Sequence, residues 1–289
     1  MKFLNLLRII SLLLLFSLLQ GCSAVRITYN QTPALAYFYL DGYMDFNDAQ
    51  ALQVKGELTK LQTWHRQSQL PAYVELLQKT QPKMLQDITE KQACEIFADV
   101  RQKVFSLADY AEPAALAAVI SLTPQQLTAM ERKFAKSNTT WREEFLNGNA
   151  KDLSEKRQKS AVKRGEMLYG NLNVQQLGLI ATNIAKSRFK AAQSYAERQR
   201  RQADILQVLG RAMANSQDAE GVRRDLRALL ARSTASPDAV YRRYQEQAIE
   251  DACVNFAELH NTTTPEQRQK AVNVLAGYAQ DFQALSTQK

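Results

Sequence analysis

Residues 122–146 read LTPQQLTAMERKFAKSNTTWREEFL, and this stretch carries the pattern that decides the fold. Thr123 can serve as the N-cap of a helix, Pro124 suits its first position, and Gln126 can complete a capping box. Further side chains recur at steps of three and four, as along one face of an α-helix. This stripe comprises Leu127, Met130, Phe134, Asn138, Trp141 and Phe145. We therefore predict an amphipathic helix from Pro124 to about Leu146.

The start of this helix repeats a phrase that occurs at four other places in the chain. The phrase is an apolar residue or Thr, then Thr or Asn, then two variable residues and Gln. Its five copies are FNDAQ at 46–50, ITEKQ at 88–92, LTPQQ at 122–126, LNVQQ at 172–176 and TTPEQ at 263–267. Their unequal spacings exclude a solenoid repeat. Each copy predicts a capping box at the start of a helix.

Helical periodicity continues through most of the remaining sequence, and ten glycines and seven prolines interrupt it rarely. Thr32 and Pro33 are expected to open an aromatic helix, with Thr32 as its N-cap. Pro71 and Pro113 are expected to separate helices. Further helices are predicted at about 48–69, 72–80, 90–110, 151–169, 174–186, 188–214, 218–231, 238–260 and 265–284.

These elements predict the fold class. No run alternates apolar and polar residues over the length of a strand. Short links between amphipathic helices favour antiparallel neighbours, so we predict an all-α fold, either a multi-helix bundle or a helical array. Residues 31–289 are assigned to a single all-helical domain, with a sub-boundary near 147–150 as the alternative.

The N-terminus has the order of a secretory signal. A basic leader contains Lys2 and Arg8, and an eleven-residue apolar run extends from Ile9 to Leu19. The segment that follows, Leu19-Gln20-Gly21-Cys22, resembles the lipobox of bacterial lipoproteins. An uncleaved membrane anchor is the alternative, although the apolar run is short for a membrane span of about 20 residues.

The lipobox resemblance implies how the protein is processed and where it is located. Residues 1–21 would be removed as a signal peptide, and Cys22 would carry diacylglycerol and an amide-linked acyl chain such as palmitate. Residues 22–30 would form a short tether. By resemblance to enterobacterial lipoprotein sorting, Ser23 rather than Asp at this position favours the outer membrane, with the protein facing the periplasm; inner-membrane anchoring is the alternative.

Positive charge is concentrated in one part of the chain. Without residues 1–21 there would be 35 basic and 29 acidic residues, a net charge of +6. Between Lys186 and Arg243 there are 13 basic and 6 acidic residues, an excess of +7. We predict a basic surface formed by Arg198, Arg200, Arg201, Arg223, Arg224, Arg227, Arg242 and Arg243. A solvated helix face is the alternative.

The predicted compartment limits which molecules could bind the basic surface. In the envelope it could contact anionic lipid headgroups, lipopolysaccharide, peptidoglycan carboxylates or a protein. Nucleic acid is not expected as a partner, because export removes it from reach.

Two cysteines remain once Cys22 is assigned to the lipid. Cys94 and Cys253 both lie at helical spacing from apolar residues. An exported protein is in an oxidising compartment, where a disulfide persists. We therefore predict a Cys94–Cys253 disulfide, with two free buried thiols as the alternative.

Several longer phrases extend over most of the mature chain. They are Tyr29-Asn30 ahead of Asp41 and Tyr43, SLTP at 121–124, KFAKSN at 133–138, WREEF at 141–145, RGEMLYG at 164–170, Ser236-Pro237 with Tyr241 and Tyr244, and HNTTTP at 260–265. In these phrases the chain resembles an uncharacterised family of Gram-negative lipoproteins, domain of unknown function family 6279. The resemblance implies a lipid anchor and an all-helical fold, and it brings no activity or catalytic residues.

The recurring phrase also resembles the Leu-Thr-x-x-Gln motif of the spheroplast-protein-Y and CpxP-like periplasmic proteins. Those are small, all-helical, stress-linked chaperones with basic concave surfaces. This local resemblance implies a holdase-like mode of action.

Side chains suited to catalysis are sparse. The sequence has no Gly-rich phosphate loop, no Gly-x-Ser-x-Gly and no His-Glu-x-x-His. His65 and His260 are its two histidines, too few for a zinc-type ligand set, so we expect no metal and no cofactor. His260 is expected to form a hydrogen bond with the backbone or to interact favourably with the C-terminal end of its helix.

Two carboxylate pairs could supply a glycosidase-like acid and base, namely Asp41 with Asp45 and Glu143 with Glu144. The alternative is that these carboxylates are solvated or cap helices.

The aromatic and acidic segment 37–45 is the best candidate for a binding surface. Tyr37, Asp41 and Tyr43 are its proposed contact residues, because tyrosine-rich patches suit binding. Burial in the bundle core is the alternative.

These observations together favour a lipid-anchored, periplasm-facing protein that binds through helical surfaces and has no catalytic activity. One alternative is a holdase-like chaperone or a stress-linked envelope factor. Another is a cell-wall hydrolase-like enzyme that uses Asp41 or Glu143.

Overall fold

A computed structural model describes residues 24–288, so the predicted signal peptide and Cys22 lie outside the described residues. This part of the chain is all-α, as predicted, and contains no β-strand. Between residues 24 and 288, no single helix is both long and apolar enough to span a membrane; α5 and α6 pass that test only as a pair bent by 114°. The helices are α1 (Ala24–Asn30), α2 (Thr32–Met44), α3 (Asp48–Trp64), α4 (Leu70–Thr80), α5 (Glu90–Ile120), α6 (Pro124–Phe145), α7 (Ala150–Tyr169), α8 (Val174–Lys186), α9 (Ala191–Ala214), α10 (Ala219–Thr234), α11 (Ala239–Asn261) and α12 (Pro265–Ser286).

Pro71 does not interrupt helical structure. A π-helical segment, His65–Gln69, joins α3 directly to α4, and the amide of Leu70 donates to the carbonyl of His65. Pro71 lies in the first turn of α4. A widened turn before a proline leaves room for its ring, which would otherwise meet the carbonyl four residues earlier.

The prediction that a helix ends near residue 110, ahead of Pro113, is wrong. Helix α5 continues to Ile120 with Pro113 inside it. An interior proline costs about 3 kcal/mol. Beyond it, α5 buries Leu116 and Val119 in a hydrophobic cluster, and burial of each such side chain stabilises by about 1.5–3 kcal/mol. Tertiary packing therefore outweighs the local preference of the proline.

The segment expected to be a tether is also helical in its described part. Residues 24–30 form α1, and Arg26 Nε lies 2.7 Å from Asp281 Oδ1 on α12. Thr32 is not an N-cap, because Gln31 before it already has helical backbone angles. The hydroxyl of Thr32 donates instead to the carbonyl of Thr28, at 3.4 Å.

Two hydrophobic clusters form the core of the bundle. The first core comprises Met84, Ile88, Ala93, Tyr169, Cys253, Ala257 and Ala271. The second core comprises Leu116, Val119, Leu122, Met130, Leu209, Ala212 and Val222. Helix α5 contributes to both, since its 31 residues extend over about 46 Å. One continuous helix therefore joins the two cores.

Cys94 on α5 and Cys253 on α11 lie at disulfide distance, with their sulfur atoms 2.01 Å apart. This is the pairing that the sequence predicts. Cys253 is 1% exposed and belongs to the first core, and Cys94 packs against that core. The bond therefore lies inside the packed part of the bundle.

All five copies of the recurring phrase form capping boxes, as predicted. They start α3, α5, α6, α8 and α12. In each, the side chain of the N-cap Asn or Thr accepts a hydrogen bond from the backbone N–H of the Gln. The side-chain oxygen of the Gln accepts one in turn from the backbone N–H of the N-cap residue. Helix N–H groups that would lack partners are thereby satisfied.

Four of the five glutamines also meet in pairs, which the sequence did not predict. Gln50 and Gln126 exchange side-chain hydrogen bonds of 3.3 and 2.7 Å, and Gln176 and Gln267 exchange bonds of 2.7 and 3.0 Å. Each Nε2 also donates to the backbone carbonyl two residues before the N-cap of its partner. These acceptors belong to Ser121, Asp45, Thr262 and Asn171. Two pairs of helix starts are thus joined by the same geometry.

We expect Gln176→Ala to lower the free energy of unfolding by about 2–4 kcal/mol. Gln176 is fully buried, so the change removes a cap and leaves Gln267 and the Thr262 carbonyl without their partner. Gln92 is the matched control, because it completes the same capping box without a glutamine partner. Gln92→Ala should lower the free energy by about 1 kcal/mol. Urea unfolding measures both variants. If the two lost the same free energy of unfolding, a stabilising role of the Gln176–Gln267 pairing would be contradicted.

Candidate ligand-binding cavity

A cavity of about 610 Å³ opens between α2, α6, α9 and the start of α11. Its volume is within the range of sites that hold small organic molecules. Residues from distant parts of the sequence meet there, from Tyr39 on α2 to Tyr241 on α11. Of the residues that the sequence marks as candidate binding residues, Tyr43, Arg198 and Arg201 line this space.

Aromatic side chains form much of the cavity wall. The ring of Tyr43 lies 5.7 Å from that of Phe134, and the ring of Trp141 lies 5.1 Å from that of Phe145, measured between centroids. The stripe predicted on α6 packs Met130 into the second core and then continues as this wall. The aromatic lining residues are Tyr39, Tyr43, Phe134, Trp141, Phe145, Phe189 and Tyr241.

Neutral side chains orient Arg198 at the cavity. Its Nε donates to Asn138 Oδ1 at 2.8 Å, and its Nη2 donates to Ser137 Oγ at 2.9 Å. Asn138 also exchanges hydrogen bonds of 2.7 and 3.1 Å with Gln202. Arg198 makes no ion pair within residues 24–288. These partners therefore hold the guanidinium in place without neutralising its charge.

Glu197 also lines the cavity, but its carboxylate is already saturated with donors. It is 5% exposed and accepts two hydrogen bonds from Arg200, at 2.8 and 2.9 Å. It accepts a third from Arg201 at 2.8 Å and a fourth from the hydroxyl of Ser236 at 3.0 Å. Burial alone would raise the pKa of Glu197, but the hydrogen bonds from Arg200, Arg201 and Ser236 outweigh it and lower that pKa. The group stays ionised at neutral pH and is unsuited to act as a general acid.

The eight arginines of the predicted basic surface do not lie on one unpaired face. Arg223 and Arg227 both pair with Glu112 of α5. Arg242 donates to the backbone carbonyl of Ser236 at 2.8 Å. These long side chains reach acceptors elsewhere in residues 24–288, so much of the local excess of positive charge is already paired or hydrogen-bonded. Two of the eight make neither an ion pair nor a hydrogen bond with residues 24–288, namely Arg224 and Arg243.

Neither predicted carboxylate pair lies in the cavity. Asp41 accepts a hydrogen bond from the amide of Phe46 at 3.1 Å. Asp45 ends α2 with a φ of 50°, a left-handed conformation that Asp adopts more readily than most residues. Glu143 and Glu144 are exposed on α6. The structure therefore gives Asp41 and Asp45 roles at the end of a helix.

Both histidines are packed between other side chains. His260 is fully buried, and its Nε2 donates to the carbonyl of Gln86 at 2.8 Å while its Nδ1 accepts from the hydroxyl of Tyr169 at 2.9 Å. Burial lowers the pKa of His260, so the neutral form is favoured. His65 lies between the hydroxyls of Tyr29 and Tyr73. Over residues 24–288 there is no group of three or more His, Cys, Asp or Glu side chains that could hold a metal ion.

Helix α2, which carries the aromatic segment, has no fully buried residue, and its Tyr43 and Met44 pack against the edge of the second core. Tyr43 faces the cavity, whereas Tyr37 stacks on Phe46 and lies beneath the ammonium group of Lys55. A second, mostly apolar groove of about 660 Å³ is lined by residues of α2, α3 and α5. Helix α2 therefore borders both the cavity and this groove.

Several lining residues were missed from the sequence. Phe189 and Tyr241 come from segments far from the predicted aromatic surface. Tyr241 belongs to a phrase of the family resemblance, which assigns it no role, and nothing in the sequence singles out Phe189. The α9 residues do share a signal, because they recur at steps of three and four along one helix face. The sequence had marked Arg198 and Arg201 on this face, and it had not marked Ser194, Glu197, Gln202 and Ile205.

One protein family matches the chain. Its model, described as a family of unknown function, DUF6279, matches residues 42–242, which is well over half of the chain. This range includes all of α6 and α9 and therefore most of the cavity wall. No curated protein and no solved structure matches the chain. The chain belongs to the DUF6279 family.

Proposed function

We propose that this chain is a lipid-anchored binding protein of the bacterial envelope, with no catalytic activity of its own. Acyl chains on Cys22 would hold it at the outer membrane, facing the periplasm, with the inner membrane as the alternative. The lipobox resemblance of Leu19-Gln20-Gly21-Cys22 supports the anchor. The Cys94–Cys253 pair supports an oxidising compartment.

The observation that carries the binding proposal is a fixed positive charge in an aromatic cavity. Aromatic walls favour flat or apolar molecules, and Arg198 offers a guanidinium that no acid neutralises within residues 24–288. Arg201 adds a second guanidinium, which Glu197 orients. The ligand class that fits is an organic anion with an apolar or aromatic body and a carboxylate, sulfonate or phosphate group.

The geometry favours binding over catalysis. Glu197 is the one carboxylate among the lining side chains of the described chain, and its donors keep it ionised. A glycosidase-like reaction needs two carboxyl groups on either side of the scissile bond. A cell-wall hydrolase that uses Asp41 or Glu143 has less support, because both lie outside the cavity.

The anchor has a direct test. Mass spectrometry of the purified mature protein should find an N-terminus at Cys22 that carries three acyl chains. An unmodified Cys22, or retention of residues 1–21, would refute the lipoprotein proposal while leaving the cavity proposal intact.

We expect anilinonaphthalene sulfonate, an aromatic anion, to bind in the cavity and to quench Trp141. The chain has two tryptophans, and Trp64 lies outside the lining, stacked on Tyr110 at 4.1 Å. A Trp64→Phe variant therefore reports the cavity alone. In it, Arg198→Gln should weaken probe binding roughly ten- to hundred-fold, because a charge-assisted hydrogen bond contributes about 1.5–3 kcal/mol.

Two controls separate charge from shape. Phenylnaphthylamine has the same aromatic body without the sulfonate, so it should bind the Arg198→Gln variant as well as the parent. Arg243→Gln removes a charge outside the cavity and should leave both probes unaffected. If Arg198→Gln weakened both probes equally, the arginine would be structural and the anion would not be recognised.

A holdase-like chaperone is the second candidate, and the open apolar groove between α2, α3 and α5 favours it. Such a protein should suppress aggregation of an unfolded model client at near-equimolar ratio. Suppression that anilinonaphthalene sulfonate does not compete away would favour this candidate over a small-ligand binder.

A further inference from the structure

The outward face of α2 is apolar, the reverse of what a solvent-exposed helix usually presents. Between residues 33 and 44 the exposed positions are Ala34, Leu35, Phe38, Tyr39 and Gly42, and none is charged. Phe38 is 79% exposed, Tyr39 65% and Leu35 54%. Large apolar side chains clustered on one face mark an interaction surface.

Helix α1 extends this face toward the N-terminus. Its Ile27 is 57% exposed. Basic groups lie beside the same two helices, because Arg66 contacts Asn30 at 2.9 Å and Lys133 lies 3.6 Å from the position of a Cβ atom on Gly42. The apolar face therefore has positive charge at its edge.

We infer that the membrane face, defined as Ile27, Leu35, Phe38 and Tyr39, lies in the interfacial layer of the membrane to which the chain is anchored. The inference rests on the proposed lipid anchor. Helix α1 begins two residues after Cys22, and α1 and α2 together extend at most about 30 Å from it. An acylated Cys22 would thus hold this face close to the bilayer.

The composition of the face fits the interfacial layer of a membrane. Aromatic rings with a polar tip, such as Tyr39, favour the boundary between headgroups and acyl chains. Basic side chains at its edge are attracted to anionic headgroups. Tyr39 also lines the cavity, so the cavity mouth would open at headgroup level. Anionic amphiphiles could then enter directly from the membrane surface.

The test places a single tryptophan in the membrane face of the lipidated full chain. The reporter is Phe38→Trp in a Trp64→Phe, Trp141→Phe background, bound to phosphatidylethanolamine–phosphatidylglycerol vesicles with brominated acyl chains. We expect the vesicles to quench about half or more of its emission, because an interfacial helix buries its apolar face some 5–10 Å deep. The matched control is Val174→Trp, which is 87% exposed at the start of α8 and should keep nearly all of its emission.

Each outcome decides between the proposals. If the protein floats with the vesicles but position 38 is quenched no more than position 174, the membrane face is refuted and the anchor stands. If the lipidated protein does not float, both fail. A blue shift at position 38 without quenching would mean that protein covers the face, for instance a second copy, and would also refute the inference.

A second measurement uses the wild-type chain and does not depend on the tryptophan variants folding. Vesicles that carry a photoactivatable diazirine near the phospholipid headgroup should label the peptide that contains residues 24–44. Peptides from α8 should remain unlabelled. Equal labelling of both regions would refute the inference.

Discussion

Replacing Cys94 and Cys253 together with alanine is expected to lower the free energy of unfolding by about 4–5 kcal/mol. The two residues are 159 positions apart, so the disulfide closes a long loop and strongly restricts the unfolded chain. Both also contribute to the first core, where α5 meets α11. Guanidinium unfolding of the oxidised wild type and of the double variant measures the difference.

Reduction provides the control for this prediction. Dithiothreitol should destabilise the wild type by a similar amount and should leave the double variant unchanged. If the reduced and oxidised wild type unfolded at the same denaturant concentration, the bond would not form in the purified protein.

Local chemistry explains why so much of the helical fold could be predicted. A capping box needs only residues within one turn, so the helices that start after Asn47, Thr89, Thr123, Asn173 and Thr264 begin where the sequence indicates. Pro113 shows the limit of such reasoning. Its local preference is to end a helix, and contacts with residues nearly a hundred positions away, such as Leu209 in the second core, decide otherwise.

The cavity could not be predicted, because periodicity assigns residues to helix faces without saying which faces meet. Tyr43, Arg198 and Arg201 were singled out for separate surfaces, and the fold brings them to one space. The glutamine pairs make the same point, because Gln50 and Gln126 each carry a recognisable capping signal and their mutual contact exists only in three dimensions.

Replacing Glu197 with alanine is expected to lower the free energy of unfolding by about 3 kcal/mol. This is the lower end of the loss when one partner of a buried ion pair is removed, because Glu197 is buried while Arg200 and Arg201 remain partly exposed. The change leaves Arg200 and Arg201 without their shared acceptor. It also leaves the fully buried hydroxyl of Ser236 without the carboxylate to which it donates. Because Ser236 lies in the connection between α10 and α11, that connection would lose a contact with α9.

Glu197→Gln is the matched control, because glutamine keeps the shape of the side chain and one carbonyl acceptor. Glu197→Gln should lower the free energy of unfolding by less than Glu197→Ala does. Because glutamine does not titrate, comparing this variant with the wild type also isolates the pH dependence that is due to the carboxylate. Hydrogen bonds from Arg200, Arg201 and Ser236 outweigh burial and lower the pKa of Glu197 in the folded state, whereas the unfolded chain titrates near pKa 4.3. The stabilisation is therefore complete above about pH 4.3 and is lost as the pH falls through the folded pKa. Wild type should lose more stability than Glu197→Gln below this point, and identical acid dependence of the two proteins would contradict an ionised Glu197 as the anchor of this network.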